Sequence, residues 1–267
     1  MDPDIRIRSA LDRQLTADAR NWLADAVARV GQDPAAVRTA FPAVGRHCGR
    51  GPLVEGWTVA DAARARLLAA LPLRGAALAE EVTALHRYGD AAEQRAVLRS
   101  LALLEDADAS FADRGLPLVR EALRGNDTDL IEAALGSYAA RHLDYDGYRH
   151  AVLKCVFCDI PLDRVAGLEE RADSELARML ADFAHERVAA GRDVPADVWP
   201  LLHAHPGTLE ASGLPAEAHS PVPERRAAAV RALAAHSATV TGTATATATD
   251  SVTVTVTASA TAPAGAA

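Results

Sequence analysis

The chain has 267 residues, of which 49% are hydrophobic but only 4% aromatic, so its core must be built mainly from Ala, Leu and Val. The net charge of −8 and the lack of a Lys/Arg block argue against nucleic acid as a main partner, because such binding needs side chains that neutralise phosphates. Three cysteines are too few for a disulfide scaffold, and neither a signal-peptide pattern nor a membrane-spanning apolar run is present, so we expect a cytoplasmic protein that does not span a membrane.

Ala and Leu are strong helix formers, and the apolar spacing predicts helices from the N-terminus onward. The first two cover 5–16 and 17–30. Segment 41–57 is rich in glycine and contains two prolines, which predicts a loop. Thr58 and Asp61 then have the spacing of a capping box, in which a hydroxyl caps forward and a carboxylate reaches back. The helix that they open is predicted to run to about Leu71, and two further helices are predicted near 75–87 and 91–105.

The stretch 125–191 contains two of the three cysteines and the densest apolar run. Asn126 or Asp127 is predicted to cap a helix there. The next predicted helix, from Tyr148 to about Cys158, is apolar nearly all round and should be buried on most sides. Further helices are predicted over 163–171, from 173 to 191, and near 195–203.

The fold class predicted from these elements is all-α. Pairs of helices spaced about 35–40 residues apart suggest stacked helical hairpins, arranged either as a HEAT-like solenoid or as an irregular helical bundle. We expect an all-helical domain over 1–205, a linker with a possible short helix over 206–236, and a disordered Thr/Ala-rich tail over 237–267. Within the tail, residues 251–257 alternate like a strand but have no partner to pair with.

Several motifs resemble those of EboA-domain proteins. They are YAARHLD at 138–144, VLKCVF at 152–157 with IPL at 160–162, ARMLADFAHER at 177–187, AGR at 190–192 and WPLL at 199–202, with looser likeness in VLRSLALL at 97–104 and in 118–128. The resemblance covers about 11–203, and the Thr/Ala tail departs from it. It implies a product of a conserved bacterial operon associated with making or exporting a small secreted metabolite. The partners it implies are other products of that ebo operon or a small metabolite, and it supplies no reaction, cofactor or catalytic residue.

Cys155 and Cys158 form a C-x-x-C pair, which could supply two of about four zinc ligands. His142, His150 and His185 would have to complete such a site from other positions. Both cysteines come late in an apolar helix, where cysteine behaves as a small hydrophobic residue. We therefore expect a structural role for them, with no metal and no cofactor.

The candidate binding groove consists of His142, Asp144, Tyr148 and Lys154. A histidine close to a carboxylate can act as a base and its orienting group, but such a pair also caps and pins helices. Lys154 interrupts the most apolar helix. It either extends its amine to the helix edge or forms a buried ion pair with a carboxylate such as Asp144 or Asp182.

Two functions fit these observations. The first is a non-catalytic scaffold or small-molecule carrier in a bacterial pathway of metabolite biosynthesis or export. The alternative is an enzyme that acts on a prenylated or phosphorylated small metabolite through His142, Asp144 and Lys154. No common nucleotide-binding, serine-hydrolase or zinc-protease motif occurs in the chain, which favours the non-catalytic function.

Overall fold

A computed structural model describes residues 3–54 and 56–250 of the chain, and the side chains of residues 5–54 and 56–238. Across these residues every regular element is helical, and Pro52 and Thr58 form an isolated antiparallel bridge. The prediction of an all-α fold is therefore confirmed. The chain divides into two compact units, Met1–Leu176 and Ala177–Ala267.

The first unit contains eleven described α-helices, with a twelfth at its end. Their bounds are α1 (Pro3–Gln14), α2 (Ala17–Gln32), α3 (Val37–His47), α4 (Val59–Ala69), α5 (Gly75–Tyr88), α6 (Ala91–Ala107), α7 (Leu116–Arg124), α8 (Thr128–Ala134), α9 (Ser137–His142), α10 (Tyr145–Phe157), α11 (Leu168–Arg171) and α12 (Ser174–Ala189), the last of which continues into the second unit. Short 3₁₀ turns lie at Pro34–Ala36, Ala109–Phe111 and Leu162–Arg164.

Helices of even number pack side by side in the first unit: α2 against α4, α4 against α6, and α6 against α8. The helices α3, α5 and α7 each pack against the helix that follows them. Such packing of alternate helices is what stacked hairpins produce. The arrangement of these hairpins, as a HEAT-like solenoid or as an irregular helical bundle, remains a prediction.

Helix α4 lies at the centre of this packing, and nine of its eleven residues are buried. Most of them are alanine or leucine, which lets neighbouring helices approach closely on several sides. The helix begins with the predicted capping box: the Thr58 hydroxyl accepts from the Asp61 amide at 3.1 Å, and an Asp61 carboxylate oxygen accepts from the Thr58 amide at 3.1 Å. Asp61, in the first turn, and Arg64, in the middle of the helix, are both buried, so α4 requires charged partners on its neighbours.

The prediction of a loop from residue 41 is wrong for its first part, because α3 continues to His47 with Pro42 inside it. One face of α3 is completely buried through Val37, Phe41 and Val44. The free energy gained by burying this apolar face outweighs the loss of the backbone hydrogen bond that Pro42 cannot donate.

Helix α10 begins three residues earlier than predicted, at Tyr145, with Asp144 as its N-cap. Its buried side is formed by Tyr148, Val152 and Cys155, among others, whereas the Phe157 side chain is exposed. The expectation that this helix is buried on most sides therefore fails at its C-terminal end.

The second unit contains α13 (Trp199–Ala204), α14 (Pro206–Ala211) and α15 (Pro223–Asp250), with 3₁₀ turns at Ala196–Val198 and Leu214–His219. Helix α14 and the 3₁₀ turn at Leu214–His219 lie where the sequence predicts a linker, and Leu209 and Leu214 within them are buried. The predicted disordered tail, 237–267, begins within α15, and its last part, 251–267, lies outside the described residues. No described helix has both the length and the apolar character that a membrane span requires.

Candidate functional site

His142 and Asp144, two of the predicted groove residues, have partners of their own. The His142 Nε2 lies 2.6 Å from a carboxylate oxygen of Glu105, and its ring packs on Tyr138 with the ring centroids 4.6 Å apart. Asp144 accepts the backbone N–H of Gly147 at 2.6 Å, so it caps α10. These contacts pin helix ends, as the structural alternative for this pair expects.

Tyr148 and Lys154, the other two, also bind backbone groups. The buried Tyr148 hydroxyl donates to the Ala166 carbonyl at 2.8 Å, and burial raises its pKa to about 12. The Lys154 ammonium donates to the Leu123 carbonyl at 2.7 Å and to the Gly125 carbonyl. Lys154 therefore caps the C-terminal end of α7 rather than pairing with a carboxylate.

Among the described side chains, no hydrogen bond or ion pair joins any two of His142, Asp144, Tyr148 and Lys154. Each has a different set of partners. A groove that all four share remains a prediction, and these contacts do not support it.

The cysteines form no disulfide: Cys155 is buried and Cys158 is partly exposed. Across the described residues, no three or more His, Cys, Asp or Glu side chains lie close enough together to hold a metal ion.

The structure instead presents a different site, which we call the charged groove. It has a volume of about 640 Å³ and lies in the first unit between the start of α4, one face of α6, α8 and the turn at 162–166. Its lining residues are Gly56, Thr58, Arg95, Arg99, Asp129, Glu132, Asp163, Arg164, Val165 and Ala166. Six of these ten side chains are charged, and a volume of this size suits a small molecule.

Arg95 joins the groove to the centre of the fold. Its Nε lies 3.1 Å from one carboxylate oxygen of Asp61, and its Nη2 lies 3.2 Å from the other. Its Nη1 points to the exposed Asp129 at 3.5 Å. Since Asp61 is completely buried and also belongs to the capping box of α4, Arg95 is held in a fixed orientation.

Glu132 is held between two arginines, one on each carboxylate oxygen. Arg99 Nη2 donates to Oε1 at 2.9 Å, and Arg164 Nη1 donates to Oε2 at 2.8 Å. Arg99 and Glu132 are largely buried, whereas the Arg164 side chain is 55% exposed. Arg164 is therefore the member of this trio that a ligand can reach.

Two backbone segments complete the walls. Gly56 has a φ of +75°, a conformation that favours glycine, and a side chain there would lie 3.5 Å from Arg99 and Glu132. Ala166 is fixed from both sides, because its N–H donates to the Leu135 carbonyl at 3.0 Å and its own carbonyl accepts from Tyr148. Tyr148 thus supports the wall of the charged groove without lining it.

The charges in this region nearly cancel. Three arginines face four carboxylates when the buried Asp61 is included, which leaves one negative charge in excess. The groove therefore offers fixed hydrogen-bond donors and acceptors side by side and no strong field for an anion.

The family model described as metabolite traffic protein EboA matches residues 51–203, which is more than half of the chain. The chain belongs to the EboA family. All ten lining residues of the charged groove, from Gly56 to Ala166, lie within the matched segment. No match was found among curated proteins, and none among solved structures.

The sequence contains a local signal for this groove in the spacing of its charged residues. Arg95 and Arg99 are four residues apart on α6, and Asp129 and Glu132 are three apart on α8, so each pair lies on one helix face. What the spacing alone cannot show is that these two faces meet.

Proposed function

We propose that this EboA-family chain is a non-catalytic carrier that holds a small polar metabolite, uncharged or zwitterionic, in the charged groove. It would serve a bacterial pathway that makes or exports that metabolite. The observation that carries the proposal is the groove itself: about 640 Å³ lined by six charged side chains, all within the segment that matches the family.

The pairing of the charges argues for the class of ligand. Because the arginines are already neutralised by carboxylates, a strongly anionic ligand would have to break the Arg99–Glu132 or Arg164–Glu132 contacts. A ligand rich in hydroxyl groups, or one carrying both charges, can bond to donors and acceptors without breaking them. The excess of one negative charge also disfavours an anionic ligand.

The chemistry of the lining argues for binding rather than reaction. Arginine remains protonated at any physiological pH, so Arg95, Arg99 and Arg164 orient a ligand and do not exchange protons with it. The ion pairs hold these groups in place before a ligand arrives, which lowers the entropic cost of binding. The contacts of His142, Asp144 and Lys154 give no support to the alternative of an enzyme that uses those three residues.

Native mass spectrometry of the full chain, purified without denaturation from its own host, tests the proposal. We expect a bound small molecule that is released on denaturation. Replacing the reachable donor, Arg164→Gln, should reduce the bound fraction at least several-fold. The matched control is Arg120→Gln, because Arg120 is also half exposed, pairs with one carboxylate, Asp144, and lies outside the groove.

Two results would overturn the proposal. One is a wild-type protein that carries no small molecule, both as isolated and after incubation with a metabolite extract of the host. The other is a bound molecule whose occupancy is the same in wild type and Arg164→Gln, since the ligand would then lie elsewhere. A ligand with a large net negative charge would refute the ligand class.

A further inference from the structure

The first unit contains a second cavity, of about 400 Å³, between α3, α5 and the start of α6. We call it the apolar cavity, because most of its wall is apolar. Its lining residues are Arg38, Pro42, Glu81, Ala84, Leu85, Tyr88, Gly89 and Glu93. None of these residues lines the charged groove, so the two sites are separate.

Two of the three charged residues in this cavity satisfy each other. Arg38 Nε donates to one Glu81 oxygen at 2.9 Å, and Arg38 Nη2 donates to the other at 2.7 Å. Glu81 is buried, whereas Arg38 extends into solvent. This pair closes one side of the cavity and leaves little hydrogen-bonding capacity for a ligand.

Glu93 is the exception. Glu93 is only 9% exposed. Within the described part of the chain, however, no side-chain donor makes a hydrogen bond to its carboxylate. The nearest cation, Arg64 Nη2, lies 3.5 Å away, and Arg64 directs its hydrogen bonds to the carbonyls of Phe41 and Ala92.

The electrostatics agree with this geometry. Burial, followed by the neighbouring Asp90 carboxylate, raises the pKa of Glu93, and these effects outweigh the opposing influence of Arg64 and of the Asp90 backbone N–H. A buried carboxylate accepts up to about four hydrogen bonds, and leaving such a group under-bonded costs stability. Glu93 therefore has acceptor capacity that the protein does not use.

Gly89 keeps the space beside this carboxylate open. A Cβ at position 89 would lie 2.8 Å from the Glu93 Cβ and 2.6 Å from the Leu85 carbonyl, which is closer than atoms can approach. It would also lie 3.1 Å from the Glu93 Oε2. Any other residue here would fill the part of the cavity that borders the free acceptor.

We infer that the apolar cavity binds a small amphipathic molecule whose uncharged polar end donates a hydrogen bond to Glu93. Its apolar body lies against Pro42, Leu85 and Tyr88. An uncharged end fits because each of the two carboxylates in the lining already has a cation beside it, Arg38 at Glu81 and Arg64 at Glu93.

Titration of the full chain with 1-octanol and with octanoate, followed by NMR, tests this inference, because the two probes share one apolar body and differ in the polar end. We expect saturable binding of 1-octanol and at least tenfold weaker binding of octanoate, whose carboxylate would meet Glu93 and Glu81. Leu85→Trp, which fills the cavity, should weaken 1-octanol binding at least tenfold. Ala79→Trp is the matched control, because Ala79 is on the same helix and does not line the apolar cavity.

Glu93→Gln tests the polar contact separately, since the amide preserves size while removing the charge. In this variant the preference for 1-octanol over octanoate should shrink. The inference is overturned if 1-octanol does not saturate, if octanoate binds equally well, or if Leu85→Trp leaves the affinity unchanged. Arg164→Gln should leave 1-octanol binding intact, so the outcome here is independent of the proposed function of the charged groove.

Discussion

Arg95 and Asp61 join α6 to α4 through a two-point ion pair whose carboxylate is completely buried. A second ion pair crosses the same interface, because Arg64 of α4 lies 3.5 Å from Glu93 of α6. The two pairs run in opposite senses, with the acid on α4 in one and on α6 in the other. The first pair borders the charged groove through Arg95, and the second borders the apolar cavity through Glu93.

The first prediction concerns the Asp61–Arg95 pair. Arg95→Met should lower the free energy of unfolding by about 3–5 kcal/mol, because it leaves the Asp61 charge buried with no cation opposite. Urea denaturation followed by circular dichroism measures this loss.

The control for this prediction is another ion pair of the same helix, Arg66 with Asp12, whose side chains are both partly exposed. Arg66→Met should cost about 0–1 kcal/mol, since exposed ion pairs contribute little. If Arg95→Met costs no more than Arg66→Met, the buried pair does not hold the two helices together.

The capping box shows what the sequence can predict in this fold. Thr58 and Asp61 are three residues apart, so the whole motif is local, and the structure contains it as predicted. The cap of α8 is predictable to within one residue for the same reason: the sequence offers Asn126 or Asp127, and Asp127 caps the helix.

The charged groove shows what the sequence does not predict. Asp61 binds Arg95 across 34 positions of the chain, and Glu132 binds Arg99 across 33 and Arg164 across 32. Such pairs depend on which helices pack together, and neither charge nor spacing specifies that. The same reason explains Lys154, whose partners are backbone carbonyls that show no signal in a sequence.

The second prediction is that His86 makes the first unit sensitive to acid. The residue is buried, its Nε2 has no hydrogen-bond partner, and burial lowers its pKa below the ordinary value of 6.5 despite the opposing effect of Glu121. The unfolded chain therefore binds a proton more readily than the folded chain. The contribution of His86 to the free energy of unfolding should be fully present above about pH 6.5. It should decrease as the pH drops towards the lowered pKa of the folded state.

Thermal melting of wild type and His86→Leu between pH 7.5 and 5 checks this. The variant should lose less of its melting temperature on acidification than the wild type does, whatever its stability at neutral pH. His150→Gln supplies the control, because it removes a histidine whose side chain is exposed rather than buried. Equal slopes for wild type and His86→Leu would refute the prediction.

The third prediction concerns the C-terminal end. Among the described side chains of α15, which end at residue 238, the buried ones are Ala228, Ala229 and Ala232. The Thr/Ala-rich composition after residue 236 offers no large apolar side chain to a core. Deleting 237–267 should therefore change the melting temperature by about 2 °C or less, which for a chain of this size corresponds to less than about 1 kcal/mol.

Deleting 223–267 provides the contrast, because this longer deletion also removes those three alanines and the ion pair between Arg231 and Asp193. The melting temperature should then fall by several degrees. A fall of that size with the shorter deletion would mean that the segment after residue 236 contributes contacts to the fold.

The last prediction concerns Lys154, which is the only lysine in a chain that otherwise uses arginine for its basic residues. Its ammonium bonds the carbonyls of Leu123 and Gly125, where α7 ends and its last carbonyls have no partner within the helix. Lys154→Met should cost about 1–3 kcal/mol of unfolding free energy, the usual contribution of hydrogen bonds to a charged group.

Because no other lysine competes, chemical modification of Lys154 provides the matched comparison. Acetylation, which removes the charge, should lower the urea midpoint more than reductive methylation, which keeps the charge and one N–H. If the two modified proteins unfold at the same urea concentration, the charge of Lys154 does not stabilise the end of α7.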